Sequence, residues 1–191
     1  MRIVDVAIIG AGPAGSAAAI ALAGRGYEVA LIDKQAFPRE KLCGDFINPI
    51  NWGVFRDLGV EDRVLAEPHG EVSGFRITNS TGREAAARFG SRDRELSMGL
   101  GLRRAALDQV LVERAAEQGA TTCLGRRIDK FFRTAQGWQL KIGAECWQGK
   151  VLIGGDGPKI GKPKVAGASV EGQIVGGAPG AKLENFKFRK R

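Results

Sequence analysis

DVAIIGAGPAGSAAAIALAGRGYEVALID, residues 5–33, reads as a strand, a tight turn, a helix and a second strand. Val6 to Ile9 form the short apolar run of a parallel strand buried on both faces. Gly10, Gly12 and Gly15 follow in the spacing G-x-G-x-x-G. In that spacing the first glycine makes the turn, the second admits a pyrophosphate close to the backbone, and the third lets helix and strand touch. The helix directs unpaired N–H groups and its positive dipole end at the same place. Gly12 is therefore the candidate for close approach to a phosphate. Small residues such as Ala17, Ala18, Ala19 and Ala21 line the helix, and Gly24 and Gly26 stop it. Tyr27 to Ile32 is the expected second strand, ending on Asp33, 23 positions after Gly10. A carboxylate near that spacing suits ribose hydroxyls, so Asp33→Ala is expected to weaken dinucleotide binding and to leave the fold intact.

Two plainer explanations of this stretch fail. A glycine-rich turn without a ligand does not explain a strand before it, a helix after it and an acid at ribose distance. A membrane span or signal-peptide core is suggested by the uncharged run Val6–Gly24, but that run is rich in Gly and Ala, holds Pro13 and follows Asp5 directly.

Composition narrows the class. The chain has 191 residues, enough for one domain or a domain with a tail. Its net charge of +8 invites a nucleic-acid reading. However, eight Lys and Arg against two Glu leave residues 158–191 at +6, and residues 1–157 carry only +2. The globular part needs no polyanion beyond a cofactor's phosphates, and no nucleic-acid partner is expected. Cys43, Cys123 and Cys146 are odd in number and lack metal-ligand spacing, which points to free thiols in a reducing cytoplasm. The single histidine, His69, lies in EPHGE and reads as a surface turn, which excludes a His dyad or a histidine metal site. No metal site and no transmembrane segment are expected.

Beyond Asp33 an irregular basic stretch begins at Lys34 and runs through Arg39 and Lys41. A short helix follows, with Trp52, Phe55 and Leu58 at helical spacing and Gly59 at its end. Strands are expected over 72–77 and 83–89 around the turn 79–82, and over 99–103. A helix is expected over 105–118, with Leu107, Val110, Leu111 and Ala115 on one face. Strands 126–134, 138–142 and 145–147 form an expected meander, and 150–153 a separate final strand before GGDG at 154–157. Residues 158–191 hold six glycines and no trustworthy period, the composition of a linker or disordered tail.

With these blocks in view, residues 3–157 resemble the FAD-binding half of the p-hydroxybenzoate hydroxylase-like flavoproteins. The resemblance is strongest to the branch of geranylgeranyl reductases and flavin-dependent halogenases. It rests on DVAIIGAGPAGSAAA with Asp33, on FPREKLCG at 37–44, on RAALD at 104–108 followed by Gly119-Ala120, and on VLIGGDG at 151–157. The fold it implies is α/β: a Rossmann-like FAD/NAD(P)-binding domain with a parallel sheet and a β-meander. It implies FAD as cofactor and NADPH or NADH as reductant of the intact enzyme. The flavin would pass reducing equivalents to an alkene or to oxygen, acting on a small, apolar or aromatic substrate.

The resemblance assigns the pyrophosphate to the backbone of Gly12, Pro13 and Ala14, and cofactor contacts to Lys34, Arg39, Lys41 and Arg104, with Arg103 as the alternative to Arg104. It also assigns the backbone of Ile128 to the adenine, Asp156 to the vicinity of the pyrophosphate, and Cys43 to the neighbourhood of the flavin ring. No catalytic side chain is named.

The family continues after D-G with a serine and an arginine, and later with a second G-D motif; PKIGKPKV at 158–165 lacks the first pair. The sequence therefore reads as a truncated flavoprotein, 1–157 followed by a frameshift-like tail, and as a fragment without turnover of its own. The competing readings are an NAD(P)-binding dehydrogenase fragment, which needs only the first motif, and a non-enzymatic remnant with a basic tail.

Overall fold

The structure is a computed structural model. It describes residues 1–41, 45–89 and 98–154, together with the backbone of two strands at 168–174 and 183–190. The chain divides into two units, Met1–Phe75 with Ala86–Gly157, and Arg76–Ala85 with Pro158–Arg191.

In the first unit, β1 (Arg2–Ile9) leads through the glycine turn into α1 (Pro13–Ala23) and on to β2 (Val29–Ile32). The sheet is completed by β8 (Thr121–Cys123), β9 (Lys130–Thr134), β10 (Gly137–Ile142) and β11 (Glu145–Gly154), in the order β8-β2-β1-β11-β10-β9. β8, β2, β1 and β11 run parallel, and β9 and β10 continue antiparallel from β11. This is the expected Rossmann-like sheet with its meander.

Strand alternation divides the core. Val6 and Ile8 of β1 face α1 and α4 (Arg104–Glu117), with Ile20, Leu107, Leu111 and Ala115 packed beside them. Ala7 and Ile9 face the opposite side, against Leu140, Ile142 and Trp147. A charge anywhere in Val6–Ile9 would thus be buried on one face or the other, which is why that run is apolar throughout.

Smaller elements complete this unit. They are β3 (Phe46–Ile47), α2 (Asn51–Leu58), α3 (Glu61–Ala66), β4 (His69–Val72) and β7 (Gly99–Leu102), with β3, β7 and β4 forming an antiparallel sheet. Gly59 ends α2 in the left-handed region at φ 67°, the conformation glycine adopts freely. β5 (Gly74–Thr78) and β6 (Glu84–Arg88) form a two-stranded ribbon. In the tail, β12 (Ala168–Ile174) pairs antiparallel with β13 (Leu183–Lys190), where the sequence reading assigned no element.

Other expectations change in detail. The segments 145–147 and 150–153 are one strand, β11: its first half pairs with β10, and β1 pairs along it from Trp147 to Gly154. Gly149 left a gap in the apolar pattern that read as a break. His69 does not lie in a turn but opens β4, half-buried, with Nδ1 2.7 Å from the Glu67 carbonyl oxygen. The strand expected from 126 begins at Lys130, and the one expected from Tyr27 begins at Val29. The short β3, α3 and β8 carried too little periodicity to be read. Among the described residues, no helix is long and apolar enough to cross a membrane.

Candidate functional site

The turn between β1 and α1 is held from both sides. Gly10 takes φ 103°, and its N–H donates to the Ile32 carbonyl at 2.7 Å. A Cβ on Gly15 would stand 1.9 Å from the Gly10 carbonyl oxygen, so any side chain there would force the helix off the strand. Gly12 is the N-cap of α1, Pro13 occupies its first turn, and among the described residues no side chain caps it. The helix start is therefore open to an acceptor from outside.

Asp33 is buried at 5% exposure. Its Oδ2 accepts the Ala11 N–H at 2.8 Å, and its Oδ1 accepts the Gln35 N–H at 2.9 Å. The carboxylate thus braces the glycine turn as well as lying beside it. The loop after β8 docks at the same strand ends. Asp33 N–H donates to the Cys123 carbonyl, Arg126 N–H to the Asp33 carbonyl, and Gly125 N–H to the Gln35 carbonyl. That loop carries Ile128, whose side chain packs on the Trp147 side of the core.

Arg39 lies between two acids. One Nη is 3.6 Å from Asp33 Oδ2 and the other is 3.5 Å from Asp108 Oδ2, while the guanidinium stands 4.9 Å from the centre of the Phe37 ring. Asp108 is fully buried on α4, one turn after Arg104. Arg104 grips it in a fork, with Nε 3.1 Å from Oδ1 and Nη2 3.1 Å from Oδ2. Burial pushes the Asp108 carboxyl above the usual carboxylate range, against the opposing pull of Arg104 first and then of Arg39 and Lys41. Asp45 steadies the start of α4 by accepting the Arg104 N–H at 3.1 Å. Arg39 Nε and Nη2 are buried and make no hydrogen bond with a described residue.

Of the two arginines at the start of α4, Arg104 is 8% exposed, while Arg103 reaches outward to pair with Glu40. Lys34 is exposed and Lys41 half-buried. Asp156 and Cys43 lie outside the described residues. A cleft of about 230 Å³ opens beside the glycine-turn helix, lined by Pro13, Ala17, Ile47, Phe55, Leu107 and Arg104. The sequence reading missed Asp108 as a member of this cluster. The signal was an acid at the position one turn after Arg104, between core residues Leu107 and Leu111, where an apolar residue would ordinarily stand.

The residues present fit a pyrophosphate-containing cofactor. An uncapped helix start, a turn that excludes side chains at Gly15, and two unspent buried donors on Arg39 all suit a compact group rich in acceptor oxygens.

Comparison with known proteins agrees. The family described as "FAD binding domain" matches residues 3–173. The chain is 35% identical to conditioned medium factor receptor 1 of Dictyostelium discoideum over 124 residues, 62% of this chain and 24% of that protein. It is 32% identical to geranylgeranyl diphosphate reductase of Rhodobacter capsulatus over 163 residues, 80% of this chain and 37% of that one. The structure of the myxobacterial chondrochloren halogenase CndH, described as a variant of FAD-dependent halogenases, superposes with a TM-score of 0.72 at 20% identity. That match covers 81% of this chain and 37% of the halogenase. The chain spans well under half the length of these curated relatives.

Proposed function

From the premise that the chain belongs to the FAD binding domain family, we propose that residues 1–157 hold the adenosine and pyrophosphate part of FAD in a flavin-dependent oxidoreductase. The observation that carries this reading is the convergence of four features at one end of the parallel sheet. The Asp33 carboxylate contacts both the glycine turn and Arg39 there, and Asp108 links Arg39 to Arg104.

In this reading the N–H groups of Gly12 and Ala14 and those that follow at the start of α1 receive the pyrophosphate, and Gly10 and Gly15 keep side chains out of its way. Asp33 offers its remaining acceptor capacity to the ribose. Arg39 donates Nε and Nη2 to phosphate oxygens, and Lys41 and Lys34 add positive charge around them. Arg104 reaches the cofactor from the start of α4, with its guanidinium fixed by Asp108. The backbone near Ile128 faces the adenine from the loop after β8, and the family resemblance assigns Asp156 to the vicinity of the pyrophosphate.

FAD supplies the redox chemistry, carrying electrons from a donor to a substrate. We assign NADPH or NADH as that donor and a small apolar or aromatic molecule as the substrate. The apolar cleft beside Pro13 and Leu107 supports the choice of substrate class. Cys123 and Cys146 are free thiols, which supports a reducing, cytoplasmic setting.

The test is to purify the protein without added cofactor, denature it, and identify what is released by absorbance and chromatography. FAD is expected. Recovery of NAD or NADP would favour the dehydrogenase alternative and overturn this reading.

A further inference from the structure

We infer that Asp108 is a positioning residue for the cofactor: it acts through Arg39, holding the guanidinium so that its unspent donors stay available to phosphate. The inference rests on the FAD reading given above and adds a residue that the sequence motifs did not assign.

Three observations carry it. First, Asp108 is fully buried and touches two guanidinium groups of different origin, Arg104 from its own helix and Arg39 from the loop after β2. Its tie to Arg104 is a hydrogen-bonded fork, and its contact with Arg39 is an ion pair at 3.5 Å outside hydrogen-bond geometry. Second, Arg39 is fixed on its other sides by Asp33 and by the face of Phe37, so its plane has few ways to turn. Nε and Nη2 nevertheless remain without hydrogen-bond partners among the described residues. Buried cationic donors left unspent cost free energy, and a phosphate that accepts from them recovers it.

Third, a carboxylate is an expensive way to fill this site. Asp108 stands on α4 between Leu107 and Leu111, both buried. Its raised pKa means that desolvation outweighs the attraction of the two arginines and Lys41. Its arginine partners offset that cost only in part. The fork to Arg104 needs no second guanidinium, so it is the added contact with Arg39 that points to an orienting role.

The experiment is a double-mutant cycle on FAD binding, followed by flavin fluorescence, with ADP as a competing probe and far-ultraviolet circular dichroism as the check on folding. Arg39→Lys keeps the charge and removes the fork. Asp108→Asn keeps the shape and one acceptor oxygen. Loss of a charge-assisted hydrogen bond corresponds to roughly 10- to 100-fold in affinity. Each single variant is expected to weaken FAD binding by about tenfold or more on that scale.

In the Arg39→Lys background, Asp108→Asn is expected to cost several-fold less affinity than in the parent, because the part of its effect that runs through Arg39 is gone and only the part through Arg104 remains. An Asp108→Asn protein that binds FAD as tightly as the parent overturns the inference. So does one that weakens binding equally in both backgrounds. Should Asp108→Asn not fold, Asp108→Glu, which keeps the charge and displaces the carboxylate, goes through the same cycle with the same criteria. If the parent chain binds neither FAD nor ADP, the FAD reading itself fails, an outcome distinct from the other two.

Discussion

Asp33 Oδ2 accepts the backbone N–H of Ala11 at 2.8 Å, so the acid that ends β2 is also the brace of the glycine turn that ends β1. That bond crosses 22 residues of sequence and joins two adjacent parallel strands at their C-terminal ends. It alters what a substitution at Asp33 is expected to do.

Asp33→Ala should lose stability as well as affinity. It strips the acceptor from the buried N–H of Ala11 and from that of Gln35, and it removes one partner of Arg39. Each buried donor left unsatisfied costs about 1–3 kcal/mol. Urea unfolding should show a loss in that range. FAD titration should show affinity reduced by roughly 10- to 100-fold. A variant as stable as the parent would show that the turn does not depend on this carboxylate.

Gly15→Ala tests the close approach of α1 to β1. The added Cβ meets the Gly10 carbonyl oxygen at 1.9 Å and Ile8 Cγ2 at 3.3 Å, and the first of these is backbone that cannot swing aside. Overpacking of this kind costs about 1–3 kcal/mol, occasionally more. Thermal unfolding should report the loss, and FAD binding should weaken with it as the turn is displaced. Gly26→Ala is the control for a local cost, since nothing lies within 4 Å of its Cβ position and only its φ of 86° is strained.

The turn and its helix were legible because they depend on local rules: glycine spacing, an apolar run, and an acid at a fixed distance. The same holds for Gly59, whose left-handed φ closes α2 where the sequence pattern ends. What could not be read depends on tertiary pairing. Gly149, a residue without a side chain, interrupts the apolar pattern of β11, yet β1 pairs along that strand from Trp147 to Gly154. β8 is three residues long and owes its place to β2. Arg39 and Arg104 could be nominated from their motifs. Asp108 stands one turn after Arg104 in the same motif, but its contact with Arg39 forms only in three dimensions.

Asp108 should also leave a mark on the pH dependence of stability. Its folded pKa is raised by burial, and the charged groups facing it are Arg104, Arg39 and Lys41. A carboxyl with a raised folded pKa adds stability below its unfolded value, about 3.9. That stability is lost as pH rises through the folded value. Compared with Asp108→Asn, which does not titrate, the parent should therefore lose stability as pH increases from about 4. Urea unfolding of both proteins across that range measures the difference. A difference that grows in the parent's favour with rising pH would mean that the arginines outweigh burial.

The most direct test of the central claim is a comparison of FAD with NAD on the same chain. FAD, ADP and NAD are titrated into the parent and into Gly12→Val, which places a branched side chain where the pyrophosphate approaches the turn. The account predicts saturable FAD binding that ADP competes away, NAD binding weaker by at least about tenfold, or roughly 1.4 kcal/mol, and loss of FAD binding in Gly12→Val while circular dichroism stays unchanged. NAD binding as tight as FAD, or FAD binding untouched by Gly12→Val, would contradict it.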